Sequence, residues 1–173
     1  MSDGNGSKFA PSEFLTALGA VTLNWAAVEA ALDFTTAVMF HELRNDKMES
    51  EVPRSLEKKL KFIKQALQHE KLAKIEKPAR AVISELLARK EDRHGLVHGA
   101  VLDADAESVT TLRVEYLAVR HKISSRRITI ADVQNIEDRS HGLSQRATQL
   151  SIAVYNIARP ADPIDYPLGD FSS

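Results

Sequence analysis

The sequence predicts a mostly α protein: a four-helix up-and-down bundle with a small β-hairpin inserted between the third and last long helices. Three observations carry this. Apolar residues recur at alternating spacings of three and four at both ends of the chain, over segments far longer than a single turn. Prolines and polar clusters separate the periodic segments. After Gly99 the composition changes abruptly to Thr-, Val- and Tyr-rich alternation.

The elements follow in chain order. Residues 1–11 are Gly-, Ser- and Asn-rich and read as a disordered leader. Pro11-Ser12-Glu13 starts a helix in which Phe14, Leu18, Val21, Trp25, Val28, Leu32, Thr35 and Met39 form one seam, about 45 Å long over about 30 residues. Such a narrow seam packs lengthwise on another helix. Asn45-Asp46 interrupts the pattern. Pro53 fits the first turn of a second helix with Val52, Leu56, Leu60, Ile63 and Leu67 buried. Pro78 opens a third, with Val82, Ile83, Leu86 and Leu87 toward the core.

Ala100–Leu102 and Val109–Val119 read as two strands around a polar turn, Ser124-Ser125 as a further turn, and Ile128 as the place for a short third strand. Thr129 followed by Asp132 resembles a capping box opening the last helix. That helix runs through Val133, Ile136, Leu143, Ala147, Leu150, Val154 and Ile157 to Arg159-Pro160. Residues 159–173 form a Pro-rich tail, and 12–158 one domain, the size that a single core serves.

Composition narrows the function classes. The chain has 173 residues, a net charge of −1 and no cysteine. Thiolate zinc sites, disulfides and cysteine nucleophiles are therefore excluded. No uninterrupted apolar run reaches the roughly 18–20 residues of a membrane span, and no secretion signal is visible, so no membrane partner and a cytoplasmic location are expected. Charge is uneven: Lys58, Lys59, Lys61, Lys64, Lys71, Lys74 and Lys77 crowd one stretch, and Arg113, Arg120, Lys122, Arg126 and Arg127 another. Such patches can hold a polyanion, though solvated faces look the same. Lys58, Lys61 and Lys64 are the candidate RNA-binding residues.

Chemistry concentrates in Arg93-His94-Gly95-Leu96-Val97-His98-Gly99. A guanidinium offers forked donors to phosphate oxygens, and an imidazole exchanges a proton near neutral pH. In an ideal helix, positions 93 and 98 stand about 140° apart. Gly99 suits a helix terminus, where the negative end of the helix dipole favours a protonated His98. The plain alternative is that Arg93 pairs with Asp92 or Glu91 while His98 caps carbonyls. His94 and His98 also have the i, i+4 spacing of metal ligands, but no third ligand stands at an obvious position and no metal is expected. Glu29 lies one position off the first seam and reads as a boundary carboxylate; Trp25 reads as core. Ser55-Leu56-Glu57-Lys58 matches Ser-x-x-Lys without its companion motifs.

An α bundle whose third helix ends in Arg-polar-x-x-x-His resembles the HEPN superfamily. The likeness rests on Arg93-His94-Gly95-Leu96-Val97-His98-Gly99, with His94 at the position most often occupied by Asn, and on Leu18-Gly19, Trp25 and Glu29 in the first helix. In layout it covers most of residues 12–158. The resemblance implies a metal-independent endoribonuclease without cofactors, acting as a homodimer with the two motifs facing one another. Arg93 and His98 would be its catalytic residues, and His94 would orient the site or touch RNA. It also implies roles as a toxin or defence component, and partnership with a nucleotidyltransferase-type antitoxin. The alternative within the same resemblance is a non-catalytic dimeric module that binds RNA, a nucleotide or a protein.

Overall fold

The computed structural model describes residues 12–43, 50–97, 100–117 and 120–166, without the side chains of 93–95, 97, 113, 115–117 and 120. Four helices and one three-stranded sheet follow in the order α1 (Ser12–His41), α2 (Leu56–Ala66), α3 (Glu76–Val97), β1 (Ala100–Ala104), β2 (Ser108–Leu117), β3 (Arg120–Thr129) and α4 (Ile130–Ala158), with a 3-10 turn at Glu70–Leu72. The fold is mostly α, with a small antiparallel sheet between α3 and α4.

The chain forms two compact units. One comprises Met1–Asn24 and Lys90–His141; the other comprises Trp25–Arg89 and Gly142–Ser173. In the first, buried side chains come from α1 (Phe14, Ala17, Val21), from Leu96, from the sheet (Val109, Ile128) and from α4 (Val133, Ile136). Asn24 Nδ2 donates to Ser140 Oγ at 3.1 Å, tying α1 to α4 within this unit. The sheet is a β1-β2-β3 meander. Val109 pairs with Ile128 on its buried face, whereas Val114 pairs with Ile123 on the opposite face and both stay exposed. The β1–β2 turn is fastened by Asp105, which accepts from the backbone N–H groups of Glu107 (2.9 Å) and Ser108 (2.8 Å) and from Arg127 Nη2 (2.9 Å).

In the second unit α1 meets α2 through Phe40 and Phe62 (ring centroids 6.1 Å apart) and through an ion pair between Asp33 and the buried Lys59. Phe34 lies 5.6 Å from Tyr155 of α4, and Arg146 of α4 is 2.7 Å from Glu85 of α3. Beyond α4 the tail is pinned: Asn156 donates to Ile164 O (3.1 Å) and accepts from Ile164 N (2.8 Å).

Several local expectations hold. In the α1 seam Phe14, Val21, Trp25, Val28, Leu32, Thr35 and Met39 are buried, and Leu18 is half-buried. The Thr129–Asp132 box opens α4 as expected. Others need correction. The inserted β element is a three-stranded sheet rather than a hairpin: the third strand expected at Ile128 is present but longer, pairing with β2 from Arg120 to Thr129, and Ser124 and Ser125 sit inside it rather than in a turn. Pro53 precedes α2, whose N-cap is Ser55, because the Ser55 side chain accepts from Lys58 N as Pro53 cannot. Leu87 is 39% exposed, since Val82, Ile83 and Leu86 already fill the buried arc of α3. Asn45-Asp46 lies outside the described residues.

Apolar character also runs further round α1 than the seam. An 18-residue window of this helix has a mean hydropathy of 1.4 with 33% of it buried, enough in length and composition to cross a membrane. No uninterrupted apolar run shows this, because Asn24, Glu29 and Asp33 break the run without lowering the mean much. Core helices of soluble proteins pass the same test.

Candidate functional site

α3 carries Arg93 and His94 in its last turn and ends at Val97. His98 and Gly99 lie outside the described residues, and β1 starts at Ala100. The helix therefore persists through Arg93 and stops within one residue of His98. Leu96, between them, is 7% exposed, so this turn presents an apolar side chain to the interior while carrying the guanidinium. Gly95 lies inside the helix, which is described to Val97; Gly99, expected as its terminator, lies outside the described residues. The side chains of Arg93 and His94 lie outside the described residues.

Lys58, Lys61 and Lys64 are all exposed on α2. Spaced by three, they fan over about 120° of the helix surface. Lys59, Leu60, Phe62, Ile63 and Ala66 are buried on the other side. α2 and its lysines belong to the second unit, and Arg93 and His94 to the first.

At the start of α2 the structure shows a concavity of about 420 Å³ lined by Ser50 to Ser55 and by Lys58. Arg54 and Lys58 supply cationic groups beside the N-terminus of α2, whose free N–H groups add a positive end. Glu51 lies in the same wall. A neighbouring concavity of about 550 Å³ is lined by Asp33, Glu51, Val52, Pro53, Arg54 and Lys59. Sequence reading passed over Arg54; the signal was an arginine directly before an N-capping serine.

Electrostatic perturbations fall elsewhere. Asp105 is held below the usual carboxylate range, first by the Glu107 N–H and then by Ser108. Asp132 is lowered by the backbone and hydroxyl of Thr129. Glu42 is lowered, and Arg159 raised, by the hydrogen bond between them. Capping, turn formation and an ion pair account for all three clusters. Trp25 is 2% exposed, as a core residue should be, and its Nε1 has no hydrogen-bond partner among the described residues. Glu29 is half-buried. Among the described residues no group of three His, Cys, Asp or Glu is placed to hold a metal.

Comparison with protein-family models, with curated proteins and with solved structures gives no match.

Proposed function

We propose that this protein is a metal-independent endoribonuclease of HEPN type, with Arg93 and His98 as its working pair and His94 beside them. The observation that carries the reading is local. Arg93-His94-Gly95-Leu96-Val97-His98-Gly99 spans the end of α3, so the arginine is on a regular helix and the histidine follows its last residue. In a continuous helix the two side chains would diverge by about 140°. A chain that leaves the helix before His98 would relax that constraint and let both address one phosphate.

The chemistry is transesterification at phosphorus. The RNA 2′-hydroxyl attacks the adjacent phosphate, and the 5′-oxygen of the next nucleotide leaves. His98 removes the first proton or supplies the second. Arg93 stabilises the charge that builds on the phosphoryl oxygens. The products are a 2′,3′-cyclic phosphate and a 5′-hydroxyl. Lys58, Lys61 and Lys64, with Arg54 nearby, serve as backbone contacts for the RNA. An up-and-down arrangement of the helices, a cytoplasmic setting, a homodimer and an antitoxin partner belong to the same proposal.

The experiment is incubation of the purified protein with a mixed RNA pool in EDTA, reading the chemistry of the new ends. Cyclic-phosphate ends from the wild type, lost in both Arg93→Ala and His98→Ala, support the enzyme. RNA left intact by the wild type but bound by it, with binding lost in Arg93→Ala, replaces the enzyme with the non-catalytic binding module.

A further inference from the structure

β1 is shorter than its neighbours. Its pairing with β2 starts at Ala100↔Leu112, whereas β2 and β3 stay paired for five further rungs, from Arg113↔Ser124 to Leu117↔Arg120. At about 3.4 Å per residue, this two-stranded arm reaches about 17 Å past β1. The arm, β1 and the last turns of α3 belong to one compact unit. Ala100 comes two residues after His98, so the arm starts where the chain arrives from the Arg93–Gly99 segment.

Register gives the arm two unlike faces, because directly opposed residues share a face and successive ones alternate. One face carries Val114 opposite Ile123, 39% and 58% exposed. The other continues the side on which Val109 and Ile128 are buried. Outward from that buried rung it holds, by register, Arg126, Arg113, Lys122 and Arg120, with Glu115 opposite Lys122. Lys122 and Arg126 are exposed. Along β3 the row from Arg126 to Arg120 spans about 20 Å.

Nearer the core the cations have counter-charges. Arg127 Nη2 is 2.9 Å from Asp105, and Arg126 lies close enough to Asp132 to help hold its carboxyl down. The arm beyond them has three cations, Arg113, Arg120 and Lys122, against the single carboxylate of Glu115, in a chain whose net charge is −1. β3 itself carries no acid from Arg120 to Thr129. One phosphate would occupy one or two of these groups; a row of this length suits a polymer with a charge on every unit. A lipid surface would call for cations and apolar side chains together on one side, whereas here they lie on opposite faces.

We propose that the cationic face of the β2–β3 arm holds the phosphate backbone of single-stranded RNA, with Lys122 and its register neighbours Arg113 and Arg120 as the contacts. The inference rests on RNA as the substrate of the proposed function, and it deepens that reading by naming where the strand lies as it leaves the Arg93–Gly99 segment. It adds a surface separate from the α2 lysines, which belong to the other compact unit.

The probe is a labelled, mixed-sequence 2′-O-methyl RNA, which lacks the attacking hydroxyl and stays intact whatever the protein's activity. Titrated with salt against the whole chain, it should show a log K slope that falls by up to about 2 in the triple variant Arg113→Ala, Arg120→Ala, Lys122→Ala, with affinity at low salt lowered about tenfold or more. Lys122→Glu alone, at an exposed position, should weaken binding further than Lys122→Ala, and Lys122→Arg should bind as the wild type does. Ile123→Ser, on the other face, should change affinity less than about twofold. An unchanged slope in the triple variant would overturn the inference, as would equal losses from Lys122→Glu and Ile123→Ser. RNA affinity kept by a triple variant that self-associates would make these cations guards of an open strand edge and overturn it too. Binding of the wild type to phosphatidylglycerol vesicles, with no affinity for the RNA, would assign the arm to a membrane and overturn it equally. Cleavage is read separately on ordinary RNA: an arm that binds in a protein that does not cut leaves this inference standing and removes the enzymatic reading.

Discussion

Thr129 and Asp132 cap the last helix by serving each other. The Asp132 carboxylate accepts from Thr129 N at 2.9 Å and from the Thr129 hydroxyl at 2.8 Å, while Asp132 N donates back to Thr129 Oγ1 at 3.1 Å. The pair stands where β3 becomes α4, so it fixes both the end of the sheet and the start of a 29-residue helix. Thr129→Ala should cost about 1 kcal/mol and lower the melting midpoint by about 2–4 °C. A loss of helix content confined to the start of α4, read by hydrogen exchange, is the expected signature. A melting curve that does not move would show that the strand alone sets the boundary.

The same carboxylate gives a pH dependence. Asp132 and Asp105 both titrate below the ordinary aspartate value in the folded chain, through donors from Thr129 and from Glu107 and Ser108 respectively. A carboxyl lowered by folding stabilises fully above its unfolded pKa near 3.9 and loses that contribution as pH falls through its folded value. Urea midpoints should therefore fall as the medium is acidified below about pH 4. In the double variant Asp105→Asn, Asp132→Asn the fall should be shallower, and it is the difference between the two curves that reports these groups.

Lys59 is buried at 8% exposure while its partner Asp33 is open to water. Removing the carboxylate leaves a largely buried lysine with this counter-ion gone. Asp33→Asn should cost more than the ~0–1 kcal/mol of an exposed pair and less than the ~3–5 kcal/mol of a fully buried one. Lys59→Met, which keeps the stem and drops the charge, should be tolerated far better. Chemical denaturation of the two variants decides it; equal losses would mean that the ion pair itself, and not an ammonium left without its counter-ion, is what matters.

Gly142 sits inside α4 with open space where a side chain would go. Gly142→Ala should stabilise the protein by roughly 0.5–1 kcal/mol, from helix propensity alone. The measurement is a thermal melt, and a decrease would reveal a close neighbour at that position.

If α2 lies along a polynucleotide, Lys58→Ala, Lys61→Ala and Lys64→Ala combined should weaken RNA binding and flatten the salt dependence of log K by up to about 2 for single strands. An unchanged slope would return the three lysines to an ordinary solvated face.

How much of the molecule is readable from sequence differs by element, for physical reasons. The seams of α1 and α4 were legible because three/four spacing sustained over some 30 residues is produced by little besides a one-sided buried helix. The α4 start was legible because the Thr129–Asp132 chemistry is local. β3 was not. Arg120 to Arg127 is largely basic and polar, so it lacks the apolar alternation that marks a strand, and an edge strand needs none on its exposed face. Ser124-Ser125 mimicked a turn for the same reason. Leu87 was misplaced because periodicity gives the direction of a stripe but not its width. At the candidate site the residue types of the Arg93–Gly99 segment could be read directly. The concavity beside Arg54 could not, since it depends on how Ser50 to Ser55 is placed relative to Lys58 at the start of α2.

Neither compact unit is a continuous piece of chain. The boundaries at Asn24, Arg89 and His141 fall inside α1, α3 and α4, so three helices change membership midway without a break. No single excision therefore liberates either half as an autonomous fragment: a cut that isolates one necessarily severs helices contributing to the other. A tag insertion or a protease nick at those boundaries interrupts a helix on which both units draw.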